Sequence, residues 1–93
     1  MKKTVTFSQA VEGYELYFQA RHLSPHTFAD YKNTFRKFAN FLDTDPPVAK
    51  ITSKDIETFL ADQDDLSNKT LLNYHTGLSA LWTWLVNEGI VLI

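Results

Sequence analysis

The chain writes one phrase twice. Leu23-Ser24-Pro25-His26-Thr27-Phe28-Ala29-Asp30-Tyr31-Lys32 is echoed by Leu66-Ser67-Asn68-Lys69-Thr70-Leu71-Leu72-Asn73-Tyr74-His75, and both read Leu-Ser-x-x-Thr-x-x-(Asp/Asn)-Tyr-basic. Each copy runs on into apolar residues at helical spacing: Phe35, Phe38 and Leu42 after the first, Leu78, Leu81 and Leu85 after the second. A Ser, a polar first turn and then a 3.6-residue apolar rhythm describe a capped amphipathic helix. The phrase therefore commits two segments to helix, beginning at Ser24 and Ser67. Positive helix N-termini that carry small donors and cations also suit phosphate contact, although Ser caps occur in helices of every functional class.

The same grammar predicts two further helices. One runs from about Phe7 to Arg21, with Thr6 as cap, Gln9 closing a capping box, and Phe7, Val11, Tyr14 and Phe18 as its apolar face. Gly13 weakens its middle by about 1 kcal/mol relative to Ala and leaves room for a neighbouring helix. The other begins at Thr52, boxed by Asp55, turns Ile56, Phe59 and Leu60 inward and stops near Asp62. The helix from Ser24 buries Phe28, Tyr31, Phe35, Phe38 and Leu42, and Asp43-Thr44-Asp45-Pro46-Pro47 ends it. The last helix buries Leu71, Tyr74, Leu78, Leu81 and Leu85, with Trp82 beside the stripe and Leu72 and Trp84 off it. Those two are expected either to pack on a neighbouring helix or to cover a surface that a further portion of the protein buries. Asp64-Asp65-Leu66 is the link before this helix, and Glu88-Gly89 the stop after it. Val48-Ala49-Lys50-Ile51 is too short to count as a strand, so the fold class is all-α.

At 93 residues and 44% apolar content, the chain is one domain with ample material for a core. No apolar run is long enough to span a membrane, and Met1-Lys2-Lys3-Thr4-Val5-Thr6 lacks the apolar stretch of a signal peptide. Cysteine is absent, which excludes a disulfide scaffold and a thiolate metal site and fits a reducing cytosol. The apolar tail Ile90-Val91-Leu92-Ile93 reads as a cut end that continues in a larger protein.

Enzymatic chemistry finds no foothold in the sequence. His22 and His26 are separated by the helix break at Ser24-Pro25 and do not share a face as zinc ligands would, so no metal site is expected. Three glycines form no phosphate loop, and Gly77-Leu78-Ser79-Ala80 lacks the second glycine of a nucleophile elbow. Tyr14, Tyr31 and Tyr74 lie on apolar stripes, and only Arg21 and Arg36 could stabilise a transferred phosphate. No acid–base constellation stands out, and neither catalysis nor a cofactor is expected of this chain.

The order of the four helices resembles a known module, the N-terminal core-binding (SAM-like) domain of tyrosine recombinases, or phage integrases. The residues that carry the resemblance are Leu23-Ser24-Pro25-His26-Thr27 with Tyr31, Phe35, Phe38 and Phe41-Leu42. Ile51-Thr52 with Asp55-Ile56 and Phe59-Leu60 follow. Leu66-Ser67-Asn68-Lys69-Thr70 then leads through Asn73-Tyr74 and Leu78-Ser79-Ala80-Leu81 to Trp84 and Glu88-Gly89-Ile90. The likeness covers about residues 5 to 91.

It implies a four-helix SAM-like orthogonal bundle that spans residues 1–93 as one domain. Strand exchange in the family belongs to a C-terminal catalytic domain with a tyrosine nucleophile, absent here, so this fragment would bind DNA without cutting it. The resemblance implies that the second and fourth helices lie towards the major groove, as half of a clamp on the recombination core site. Carried over, the DNA-contacting residues are Ser24, His26, Thr27, Lys32 and Arg36 on one helix and Ser67, Asn68, Lys69, Thr70, Asn73 and His75 on the other. Partners follow in kind: double-stranded DNA, the catalytic domain and other recombinase subunits in a synaptic complex, with no membrane. The expected location is cytoplasmic and nucleoid-associated.

Helical geometry supports part of that assignment. At 100° per residue Lys32 and Arg36 flank the apolar stripe of the second helix, while His26, Asn33 and Lys37 lie opposite it; Lys69, Asn73 and Thr76 point away from the stripe of the fourth. Charge cuts the other way. The net charge is −2, although Arg21, His22, His26, Lys32, Arg36 and Lys37 gather in one stretch against the single acid Asp30. A module of this charge should bind DNA weakly alone, at about 10⁻⁴–10⁻⁶ M or worse. The competing reading is a helical protein–protein interaction domain without DNA affinity, a role that SAM-like folds also serve.

Overall fold

The computed structural model describes residues 4–63 and 67–91. The Asp64-Asp65-Leu66 link, the start of the N-terminal segment and the Leu92-Ile93 end of the apolar tail lie outside the described residues. Four α-helices follow in order: α1 (Phe7–Ala20), α2 (Pro25–Leu42), α3 (Ser53–Ala61) and α4 (Asn68–Asn87), with a short 3-10 turn at Val48–Lys50 before α3. No strand forms among the described residues; Thr6 and Pro47 make an isolated antiparallel bridge. The all-α reading holds.

The caps sit where the sequence puts them. Thr6 and Gln9 form a reciprocal capping box on α1, Thr52 and Asp55 another on α3, and Pro25 occupies the first turn of α2. The purpose of the doubled phrase is visible here: Ser24 Oγ accepts from the Thr27 N–H at 3.3 Å, and Ser67 Oγ from the Thr70 N–H at 3.2 Å. The Ser-x-x-Thr spacing is a cap and the residue it caps. At the far end of α4, Gly89 takes φ +72°, and the N–H groups of Gly89 and Ile90 close on the Val86 and Leu85 carbonyls at 3.0 and 2.9 Å. This paired closure requires the left-handed conformation that Gly adopts without a Cβ penalty. Helix α2 stops before its prolines, at Asp43, whose φ of 62° turns the chain out of the helix.

The first turn of α1 is also held from a distance. The Phe7 N–H donates to the Pro46 carbonyl at 3.0 Å, and the Ser8 N–H and hydroxyl donate to the two Asp45 carboxylate oxygens at 2.9 and 2.5 Å. With the Gln9 N–H donating to Thr6 Oγ1 and the Thr6 N–H to Gln9 Oε1, the four orphan N–H groups of this helix end all have partners. The Ser8 side-chain bond first, then the Ser8 backbone bond, hold the Asp45 carboxyl below the usual carboxylate range. A lowered folded pKa means that the carboxylate stabilises the fold above the unfolded value of 3.8, and that this contribution is lost as pH falls through the folded value. Asp45→Ala should therefore cost about 1 kcal/mol at pH 7, the usual worth of a helix cap. It should also flatten the fall in stability below about pH 4. Urea denaturation of both proteins across pH 2–7 measures both effects.

The core is aromatic. Phe7, Phe35, Phe38, Phe59, Leu78, Leu81 and Leu85 are almost wholly enclosed, joined by Tyr14, Phe18, Phe28 and Tyr74. Helix α2 packs on α1 and α4, and α3 leans on α4. Tyr31, Leu42, Leu71, Ile56 and Leu60, expected inside, are half-buried, while Ala10 and Thr34 are fully buried. The exchange has one cause. A four-helix packing buries the sides of a helix that touch neighbours, and these are shifted from the stripe that hydrophobicity alone marks out. Trp84 lies over Gly13 and beside Tyr14 and Tyr17 of α1, with ring centroids 5.3 and 6.0 Å from the two tyrosines. This settles its place as packed on a neighbouring helix. Leu72 stays 64% exposed.

Candidate nucleic-acid interface

Helix α2 crosses α4 at Gly77. A Cβ on residue 77 would stand 3.3 Å from the Tyr31 ring and 3.7 Å from Thr34, so the crossing is close because residue 77 has no side chain. Thr34 tolerates burial there by donating its hydroxyl to the Asp30 carbonyl at 3.4 Å. On one side of the crossing the two helices part to form a small cleft of 120 Å³, lined by Thr27, Asp30 and Tyr31 of α2 and Asn73 and Thr76 of α4. On another flank, the Lys37 ammonium of α2 sits 5.8 Å from the centre of the Tyr74 ring of α4. Lys69 stands one turn before Asn73 on the same edge of α4 and is exposed. The α2–α4 face thus combines amide and hydroxyl groups able to read base edges with two cations able to meet phosphates.

The eleven residues picked from the sequence do not share one surface. Thr27 and Asn73 line the α2–α4 cleft, and Lys69 adjoins it. Ser24 and His26 lie exposed at the start of α2; Ser67 and Asn68 are exposed and Thr70 half-buried at the start of α4. Lys32 and Arg36 turn to the other side of α2. They line a 520 Å³ groove between α1 and α2 whose floor is Phe7, Val11, Phe35 and Ala39. There Lys32 pairs with Glu15 at 3.5 Å, and Arg36 donates to Asn33 Oδ1 at 2.7 Å. His75 belongs to a third surface, the groove between α3 and α4 with Glu57, Leu60 and Trp82.

Four residues outside that set complete the cleft and its flank: Asp30, Tyr31, Lys37 and Thr76. Lys37 and Thr76 are outward on the helical wheel, but the wheel alone does not say which neighbour they meet. The signal that finds them is the small pair Thr34 and Gly77, a mid-helix mark of where two helices touch; counting 100° per residue from each gives the facing edges.

Among the described residues no His, Asp and Glu gather as a metal-binding group. Burial, and then the neighbouring Tyr31 and Tyr17, push the Tyr14 phenol up to about 12, so it stays protonated at neutral pH, the opposite of an activated nucleophile. Among the described residues no helix is long and apolar enough to cross a membrane.

Neither a curated protein nor a solved structure matches the chain. A family profile does: that of the phage integrase N-terminal SAM-like domain, over residues 11–90. The match runs from the first turns of α1 through the Gly89 stop of α4, and its all-α character agrees with the four-helix bundle. The chain belongs to the phage integrase N-terminal SAM-like domain family.

Proposed function

We propose that this chain, as a single domain over residues 1–93, is the core-binding module of a tyrosine site-specific recombinase, and that its α2–α4 face is the surface applied to duplex DNA. The observation that carries the reading is the crossing at Gly77 in a domain of the integrase family: it sets Thr27, Asn73 and Thr76 in one polar cleft, with Lys69 one turn before Asn73 and Lys37 on the other flank against Tyr74. The neutral groups address base edges and the cations address phosphates. The Ser24 and Ser67 caps hold the starts of α2 and α4 rigid, so that His26 and Asn68 can reach the backbone beside them. Asp30 serves as an acceptor for a cytosine amino group and as a repulsive check against a phosphate in the cleft.

In this role the chain positions DNA, and strand cleavage belongs to a separate catalytic domain with its own tyrosine. The further partners are that domain and other recombinase subunits, and the place of work is the nucleoid. A net charge of −2 keeps the affinity of the module low, and tethering to a second DNA-binding domain raises its effective concentration on the duplex.

Nuclear magnetic resonance of the labelled chain, titrated with a random-sequence duplex at low salt, tests the reading. Amide shifts should centre on Thr27, Lys37, Lys69, Asn73 and Thr76 and leave the α3 side of the α3–α4 groove, at Ile56, Glu57 and Leu60, unmoved. Shifts confined to the α1–α2 groove, or none at millimolar duplex, would refute it.

A further inference from the structure

Leu72 is 64% exposed on α4, and its neighbours on the helix surface are exposed and polar: Asn68 and Lys69 one turn before, His75 and Thr76 one turn after. Trp84, the other large apolar residue off the α4 stripe, finds its partners in Tyr14 and Tyr17. Leu72 keeps most of its surface open. Among the described residues the other exposed large hydrophobics, Leu16 and Leu23, lie on α1 and just after it, away from α4 in the chain. A protein-docking surface needs contiguous apolar area at its centre. One leucine ringed by amide, hydroxyl and ammonium groups supplies no such area. It does match the floor of the DNA major groove, where the apolar feature is the thymine C5-methyl, set among the thymine O4 acceptor and the N7 acceptor and N6 donor of adenine.

We infer that Leu72 packs on thymine methyl groups and biases this domain toward A·T-containing sites, with Thr76 reading the polar atoms beside the methyl. This rests on the α2–α4 face being the DNA surface. The test titrates the chain and its Leu72→Ala variant with poly(dA-dT) and poly(dA-dU) duplexes at low salt; the two polymers differ by the methyl alone. The parent should prefer the methylated duplex by about fourfold, the worth of one buried methyl group. Leu72→Ala should bind both alike and keep its fold, since the side chain is exposed. A preference carried unchanged into Leu72→Ala would assign it to duplex shape and overturn the inference. So would a parent ratio of one, the result expected if Leu72 instead meets a protein. Parent binding to neither duplex would sink the DNA reading itself, and the role of Leu72 with it.

Discussion

Phe38→Ala is expected to lower the unfolding free energy by about 3–5 kcal/mol, the range for truncating a fully buried phenylalanine. Phe38 has no exposed surface, and its ring lies 5.4 Å from Phe7 of α1 and 5.1 Å from Phe59 of α3, both edge to face. One α2 side chain thus joins three helices. Removing it leaves a cavity that the rings around it cannot fill, because Phe7, Phe35 and Phe59 are each locked by other contacts. Against a total stability of about 5–15 kcal/mol for a domain of this kind, the loss takes a large share. Urea denaturation at 25 °C followed by far-ultraviolet circular dichroism measures it. The half-buried neighbour Phe41 provides the comparison: Phe41→Ala should cost visibly less. Equal costs for the two would show that the core is not organised around Phe38.

The second large effect concerns binding. Replacing Lys37 and Lys69 together by alanine should reduce the slope of log K against log salt by about 1.8, or 0.9 for each lost phosphate contact. Replacing Lys32 and Arg36 together should leave the slope near that of the parent. Both pairs remove the same charge, so a difference between them reports position. The structural reason is the orientation of α2: Lys37 stands on the edge that meets Tyr74 of α4, whereas Lys32 and Arg36 line the groove towards α1. Fluorescence anisotropy of a labelled duplex between about 20 and 200 mM salt, where phosphate contacts dominate, gives both slopes. Equal slope changes would place the duplex across the outer face of α2 instead. A larger change for Lys32 and Arg36 would move the DNA to the α1–α2 side.

These two experiments probe parts of the molecule that differ in how readable they are from sequence. Every helix start follows from a side chain three residues away: Thr6 and Gln9, Ser24 and Thr27, Thr52 and Asp55, Ser67 and Thr70. Such bonds are local, so a linear reading captures them. The Gly89 stop is local for the same reason. The third and fourth bonds at the start of α1 are another matter. Asp45 and Pro46 reach Ser8 and Phe7 across 37 and 39 positions of chain, and nothing near Ser8 announces them.

The candidate site divides along the same line. The polar outward residues of α2 and α4 were legible from helical periodicity, but periodicity tells inside from outside and does not tell one outside edge from another. Lys32 and Lys37 are both off the apolar stripe; one meets Glu15 and the other Tyr74. Leu72 and Trp84 are both apolar residues off the α4 stripe, and the bundle exposes the first and seats the second on α1.

By itself, then, the sequence determined four capped helices, their order and their apolar faces, because caps and periodicity act within a few residues of chain. Only the tertiary structure decided that Gly77 and Thr34 mark the crossing, that Lys37 shares the α4 face while Lys32 and Arg36 do not, and that Leu72 stands alone among polar groups. The edge that a helical side chain occupies acquires meaning only from the neighbour packed against it.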